Sequence, residues 1–353
     1  MTTTATSLGA AGGRRRRRGG GGRGRAERAM VPEATFTSYY GRPVVKASPW
    51  EADIPAYLFL GGLAAGSSLL AAGAAATDRP ALARTGRLGA LFGILLTFAA
   101  LVHDLGRPSR FLNMLRVAKP TSPMSVGTWI LFGYSPMAGL AAAAELRGLL
   151  PVRLRDGLLG KALGLAASPA GLAAAAIAPG VATYTAVLLA DTATPSWFAA
   201  RHELPFVFAG SAAAAAGGLG MLGAPVGQAG PARRMAVGGA LLELAMEHRM
   251  EAAMGITAEP LHTGKAARLM RASKALTVAG AVGAGLLGGR SRAAAAVSGV
   301  ALLAGSACTR FGIFEAGQAS ARDPKYTVVP QRERLKARSR NGAHHDAGSG
   351  QQG

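Results

Sequence analysis

The sequence predicts an all-α integral membrane protein, built as a bundle of about eight transmembrane helices. Of its 353 residues 50% are hydrophobic and only 16% are charged. The charged residues gather in short clusters between apolar stretches, several of which approach the roughly 20 residues that a helix needs to cross a bilayer. Gly and Ala occur throughout these stretches, and small residues let helix backbones approach closely in lipid. Composition and segment length together therefore favour a membrane protein.

Eight apolar segments are candidate spans. They cover residues 54–76, 88–102, 126–144, 171–190, 204–224, 235–246, 275–287 and 293–309. The sixth and seventh segments need their flanks to reach spanning length. The apolar run 158–190 is too long for one span and contains Pro169 and Pro179. We therefore expect residues 158–169 to form an interfacial or kinked lead-in to the fourth span.

Two basic tails are expected to flank a membrane domain at residues 36–318. Residues 1–35 and 319–353 are polar, Gly-rich or strongly basic, a composition typical of disorder. They contribute much of the net charge of +21. Neither tail interleaves aromatics with its arginines, so we expect contact with anionic membrane lipid and no nucleic acid. An even number of spans places both tails on one side. The positive-inside rule then favours the cytoplasmic side of a multi-pass cell-membrane protein.

The sequence lacks the ligands for a redox metal of its own. Cys308 is the single cysteine, whereas an iron–sulfur cluster takes about four cysteine ligands. His103, His202 and His248 fall at the ends of spans, whereas a membrane cytochrome needs pairs of histidines within its helices. We therefore expect no haem, no iron–sulfur cluster and no other metal site on this chain.

Polar residues concentrate on the side of the membrane that carries the tails. At the ends of spans this side receives Asp53, Tyr57, His103, Asp104, Asp191, His202, Glu203, Glu247, His248, Arg249 and Glu251. Ionisable groups at membrane depth are costly and usually face a cavity or a partner. Each residue alone could be an ordinary loop charge, but the cluster as a whole indicates the working face of the protein.

Glu243 differs from these residues because it lies within an apolar helix, among alanines and leucines. A carboxylate in that position must be paired, protonated or beside water. Two roles remain open for it: a proton relay, or structural pairing with an arginine such as Arg310.

Several stretches resemble one family of membrane subunits. They are YYGRP at 39–43, IPAYLFLGGLAAG at 54–66, HDLGRPSRFLNML at 103–115 and KPTSPMSVG at 119–127, with looser similarity at 184–189 and 195–197. With these stretches the chain strongly resembles the NrfD/PsrC family, the membrane subunits of polysulfide-reductase-like complexes. The long stretch that begins at His103 is the most specific of them.

The resemblance implies an eight-helix subunit without its own redox cofactor, and menaquinone or ubiquinone as its substrate. The quinone would bind near the face that docks an iron–sulfur subunit, and a molybdopterin catalytic subunit commonly completes such complexes. The family's site at the start of helix one and the end of helix four points to Tyr57 and Tyr184 as groups that bind a quinone carbonyl. His103, Asp104 and Asp191 would pass protons, and Glu243 and Arg310 would form a proton pathway.

Two questions stay open at this point. In family members with an extracytoplasmic partner the docking face is outside, which opposes the cytoplasmic placement of the tails. The proline-broken fourth helix and Glu243 would also suit a proton- or ion-translocating module without a quinone site. A third alternative is a purely structural membrane anchor.

Overall fold

The computed structural model describes residues 42–105 and 108–349, and these residues form helices and connecting segments with no strand. Nine helices in this part of the chain have 20 residues or more. They are α1 Asp53–Ala76, α2 Pro80–Asp104, α3 Pro123–Leu146, α4 Leu158–Ala190, α5 Leu204–Gly223, α6 Gly230–Met254, α7 Gly264–Leu286, α8 Arg292–Arg322 and α9 Lys325–Ser349. Short helical segments lie at Pro108–Leu115, Arg147–Leu149, Val152–Arg155, Pro195–Ala199 and Gly255–His262. The predicted N-terminal tail at 1–35 lies outside the described residues.

Among the described helices, six are long and apolar enough to cross a membrane, namely α1, α2, α3, α4, α5 and α8. The predicted all-α fold is confirmed. Helices α6 and α7 have 25 and 23 residues, so their flanks do bring them to spanning length. Both are more polar than the other six because they carry several arginines, lysines or glutamates. The count of eight spans therefore stays a prediction.

Helices α1 and α5 occupy the centre of the bundle. In each of them 67% of the apolar window is buried, against 28% in α2, which has much of its surface free to face lipid. Helix α1 packs against α2, α4 and α5, while α5 also packs against α6 and α8. The remaining large contacts join α3 to α4 and α7 to α8. The central pair thus connects the first four helices to the last four.

Glycines allow the central helices to approach at backbone distance. A Cβ placed on Gly66 of α1 would lie 2.6 Å from the carbonyl oxygen of Ala212 in α5. A Cβ on Gly210 of α5 would lie 2.6 Å from the backbone nitrogen of Glu243 in α6. Any larger residue would force these helices apart, which explains the small residues of α1 and α5.

Helix α4 includes the predicted lead-in at residues 158–169. Residues Leu158–Ala190 form one helix of 33 residues, with Pro169 and Pro179 inside it. Proline removes a backbone donor, but helix-breaking residues are tolerated in membrane helices where neighbouring groups satisfy the freed carbonyls. At about 1.5 Å per residue this helix is roughly 50 Å long, so it must tilt or project beyond a hydrocarbon core of about 30 Å.

The C-terminal boundary also differs from the prediction of a disordered tail from residue 319. Helix α8 continues to Arg322, and Ser320 in this extension is fully buried. One turn before the helix ends, Gln318 donates its amide to the carbonyl of Ser48 at 3.0 Å. The chain then continues as α9, where Lys325 pairs with Glu259 at 2.8 Å. The prediction is wrong for these residues because contacts with distant segments order a stretch that composition alone marks as polar.

We predict that Gly66→Ala destabilises the bundle by about 1–3 kcal/mol, the usual cost of overpacking a core. The added methyl group would meet a backbone carbonyl, which cannot rotate away as a side chain could. Gly73→Ala on the same helix is the matched control, because nothing lies within 4 Å of a Cβ there. Thermal unfolding of both variants in the same detergent measures the difference. Equal melting temperatures for the two variants would contradict the close α1–α5 contact.

Candidate functional site

Two buried tyrosines meet where the start of α1 faces the last turns of α4. The hydroxyl groups of Tyr57 and Tyr184 are hydrogen-bonded to each other, and their rings pack edge to face with centroids 6.5 Å apart. The Tyr184 ring lies on Gly127 of α3, where there is no room for a Cβ. Three helices therefore fix the position of this hydroxyl pair.

The pair has hydrogen-bonding capacity left over. Each phenol has one donor hydrogen and can also accept. One hydrogen is used in the bond between Tyr57 and Tyr184, so the second remains free to donate to another oxygen. A neutral carbonyl group, which only accepts hydrogen bonds, would be a suitable partner.

An acid–imidazole pair lies next to the tyrosines. Asp53 precedes Tyr57 by four residues on α1, so both side chains lie on one face of the helix, one turn apart. His103, at the end of α2, places its Nδ1 atom 2.8 Å from Oδ2 of Asp53, and the imidazole is exposed. The structure thus brings the predicted His103 towards the tyrosines through Asp53. The four-residue spacing from Tyr57 was the sequence signal for Asp53.

Asp104 and Asp191 are not in direct contact with this group. Asp104 is partly buried, and within the described residues it forms no ion pair with Arg110. Arg107, the other arginine close to Asp104 in the sequence, lies outside the described residues. Asp191 is exposed just after the end of α4, about two turns beyond Tyr184. Of the five predicted quinone-site residues, the structure joins Tyr57 and Tyr184 directly, and it pairs His103 with Asp53, which lies one helical turn from Tyr57.

A groove of about 480 Å³ opens on the outer surface of α3 and α4, close to the tyrosine pair. Among its lining residues are Val126 and Ile130 of α3 and Ile177 of α4, with Lys119 at the loop before α3. Val126 immediately precedes the glycine that supports the Tyr184 ring. The groove is therefore mainly apolar, with a cationic side chain at one end.

A second polar region runs along α6. Glu243, Glu247 and Glu251 recur every four residues, which places the three carboxylates on one face of the helix. The first two are almost fully buried. Lys274 of α7 lies 3.4 Å from Glu247 and 2.9 Å from Glu251, whose other oxygen lies 3.5 Å from the exposed His262. These groups form a continuous polar row, the α6 carboxylate row, from the bundle interior to the face that carries His262.

Hydroxyl groups hold the inner end of this row. Thr309 of α8 donates to Oε1 of Glu243 at 2.6 Å, and Ser273 of α7 lies 2.6 Å from the Thr309 hydroxyl. Among the described residues, the second oxygen of Glu243 is buried without a hydrogen-bond partner, and Glu247 has only the ion pair with Lys274. Buried polar atoms of this kind are normally satisfied by water or by a proton.

Arg310 is next to Thr309 but does not form an ion pair with Glu243. Its guanidinium donates to the carbonyl of Phe208 at 2.8 Å. The Cζ atom of the guanidinium also lies 3.7 Å from the centroid of the Phe208 ring. Its Nε and Nη1 atoms have no hydrogen-bond partner. Glu243 is instead hydrogen-bonded to Thr309. Of the two roles open for this carboxylate, the structure therefore does not show direct pairing with Arg310.

Sequence reasoning listed Glu247 and Glu251 on the polar face, but it did not connect them with Glu243 and did not name Lys274. The repeat of glutamates at four-residue intervals was the available signal. In the described part of the chain, no group of three or more His, Cys, Asp or Glu side chains is arranged to hold a metal ion.

One comparison with known proteins gives a match. The family described as "Polysulphide reductase, NrfD" matches residues 44–228, which is more than half of the chain. The match contains both tyrosines, Asp53 and His103, and it ends before the α6 carboxylate row. No curated protein matches the chain at a significant level.

We predict that Thr309→Val destabilises the protein by about 1–3 kcal/mol, because it leaves a buried carboxylate oxygen of Glu243 without its donor. Thr309→Ser keeps the hydroxyl and is the control. Unfolding of both variants is measured in one detergent. If the valine variant is as stable as the serine variant, the hydrogen bond to Glu243 does not contribute to the fold.

Proposed function

Because the chain belongs to the polysulphide reductase NrfD family, we propose that it exchanges electrons between the membrane quinone pool and an iron–sulfur partner subunit. Family membership makes it a membrane subunit of a polysulfide-reductase-like complex. Members generally pair with iron–sulfur and molybdenum catalytic subunits. In our proposal the substrate is menaquinone or ubiquinone, the redox metals belong to the partner subunits, and the complex resides in the cell membrane.

The buried Tyr57–Tyr184 pair is the observation that carries the proposal. Quinones have two carbonyl oxygens that accept hydrogen bonds, and the pair has one donor hydrogen to offer. Tyrosine also combines an apolar ring with a polar tip, which suits binding of a flat, mostly apolar ring. The neighbouring groove on α3 and α4 is a suitable place for the apolar tail of the quinone, since it opens on the outer surface of these helices.

Reduction of a quinone consumes two protons and two electrons, and oxidation of the quinol releases them. In the proposed site Asp53 and His103 transfer these protons, because their pair connects the first turn of α1 to the exposed surface. Asp104 and Asp191 are further proton carriers on the same face in our proposal. They would act through water, since neither touches the tyrosines.

Tyr57→Phe and Tyr184→Phe are each expected to weaken quinone binding by about 0.5–1.5 kcal/mol, or roughly 2- to 13-fold. Each substitution removes one hydroxyl and little volume. The measurement is the KM for quinol in the reduction of the iron–sulfur partner, normalised to assembled complex.

Tyr134→Phe is the matched control for these two variants. Tyr134 is a buried tyrosine whose hydroxyl bonds to Ser68 and to the carbonyl of Ala64, farther along α1 from the proposed site. Its loss should lower stability and leave the KM for quinol unchanged. Unchanged KM in the Tyr57 and Tyr184 variants would overturn the site. Absence of quinol activity in the intact wild-type complex would instead overturn the function.

We also propose a second function, proton transfer along the α6 carboxylate row, which the notable burial of Glu243 and Glu247 favours. Three carboxylates one turn apart, with Lys274 and His262 at the outer end, form a series of groups that can accept and release protons. This row supports proton conduction between the bundle interior and the face that bears His262. It uses none of the residues of the proposed quinone site.

Glu247→Gln is expected to slow proton movement by about 100-fold or more, the lower range of what a positioned acid–base group contributes. The glutamine keeps the shape of the side chain but cannot carry a proton. The measurement is the pH change in sealed vesicles during quinol oxidation. Glu259→Gln is the control, because Glu259 is a surface carboxylate paired with Lys325. Equal proton movement in both variants would exclude the row as a pathway.

A further inference from the structure

A cavity of about 590 Å³ lies between the first turns of α6 and the last turns of α7. Arg233 and Arg234 of α6 and Arg290, just after α7, line it. Arg233 is 18 residues before Glu251 on the same helix, which corresponds to roughly 27 Å along the axis. The cavity is therefore at the opposite end of the bundle from the exposed His262 and from the proposed docking face.

The three arginines of this cavity have no partners in the part of the chain that the structure describes. In the described residues, none of their guanidinium groups makes a hydrogen bond or an ion pair. Neighbouring arginines behave differently: Arg292 donates to the carbonyl of Ala224 at 3.0 Å, and Arg79 donates to the carbonyl of Gly227 at 3.0 Å. Arg233 is partly buried whereas Arg234 and Arg290 are exposed, and three positive charges around one cavity attract an anion.

Gly289 leaves room for the side chain of Arg233 to extend across the cavity. The guanidinium of Arg233 lies against Gly289, and a Cβ at that position would collide with it. Glycine thus leaves the space through which this side chain extends from α6 to the turn after α7.

The rest of the lining is apolar and opens on the surface of the bundle. Val237 and Ala284 contribute to the wall, and Leu286 is 66% exposed. A free inorganic anion would use only the arginines. A phospholipid would use both parts, with its phosphate at the arginines and its acyl chains along the leucine and valine surface.

We propose that this cavity binds the phosphate of an anionic phospholipid. Guanidinium groups bind phosphate oxygens with paired hydrogen bonds, and basic pockets between membrane helices are suited to acidic lipid headgroups. This site is independent of the quinone site and of the α6 carboxylate row.

The test is the binding of phosphatidylglycerol to the full-length chain, measured by native mass spectrometry after delipidation in detergent, with phosphatidylcholine as the neutral comparison. The wild-type chain should prefer phosphatidylglycerol. Each of Arg233→Gln, Arg234→Gln and Arg290→Gln should weaken that binding about fivefold, the contribution expected for one basic residue near an anionic headgroup.

A matched triple variant controls for net charge. Arg147→Gln, Arg153→Gln and Lys161→Gln together remove three exposed positive charges between the end of α3 and the first turn of α4, which is the same end of the bundle. This variant should keep the lipid preference, whereas the triple variant of the cavity should lose it. Equal preference in the two triple variants would overturn the proposal.

Two further measurements keep the test decisive. Gly289→Ala should also reduce phosphatidylglycerol binding, because it displaces Arg233 without any loss of charge. If the triple variant of the cavity does not fold, Gly289→Ala takes its place in the comparison. Inorganic phosphate at millimolar concentration should not compete with the lipid. Full competition by phosphate would show that the cavity takes a small anion, which would overturn the assignment to lipid.

Discussion

The contact between α1 and α5 at Gly66 and Ala212 determines where both polar regions lie. It brings the two central helices to backbone distance, so the bundle interior has little free volume along this seam. Arg310 occupies part of the remaining space between the helices. Its Nη2 atom would lie 3.3 Å from a Cβ on Gly62. The same atom donates a hydrogen bond to the carbonyl of Phe208. One face of α1 thus carries Asp53 and Tyr57 towards α2 and α4, while α5 supports α6 and its carboxylates.

The buried charged groups of this protein differ in the partners that their polar atoms have. Arg310 has a carbonyl and an aromatic face as partners, which offset part of the cost of removing a guanidinium from water. Glu243 has one hydroxyl donor and one unpartnered oxygen. Structural polar groups in lipid usually have full sets of partners, because an unsatisfied group there costs several kcal/mol. Arg310 also has two nitrogen atoms without a hydrogen-bond partner, so the incomplete sets at Glu243 and Arg310 indicate buried groups that bind water or, for the carboxylate, exchange a proton.

Sequence reasoning was sufficient for the helical fold and for most helix positions, because apolar segments of spanning length are a local property. It also found Tyr57 and Tyr184, though through family resemblance, since no local pattern shows that residues 127 positions apart share a hydrogen bond. The role of Thr309 was not predictable, because a threonine in an apolar helix carries no sign of the glutamate it faces. The helical structure after residue 318 was also not predicted, because it depends on contacts with distant residues. Gln318, for example, donates to the carbonyls of Ser48 and Trp50.

The two halves of α6 differ in how closely they pack. This difference determines from which end protons could enter the carboxylate row. From Glu243 onward the helix presents Glu247 and Glu251, which lie beside Lys274 of α7, and Glu251 also lies beside the exposed His262 in the segment after α6. Before Glu243 it presents Ala232, Ala236 and Gly239, which pack closely on α5: a Cβ on Gly217 would lie 2.6 Å from the carbonyl oxygen of Ala232. Water cannot enter a contact at backbone distance, so in the proposed pathway protons would reach Glu243 from the His262 face and not along α6 from the opposite end. A pathway of this form loads and unloads a carboxylate from one side of the membrane. Transfer across the whole membrane would require the α5–α6 contact to open.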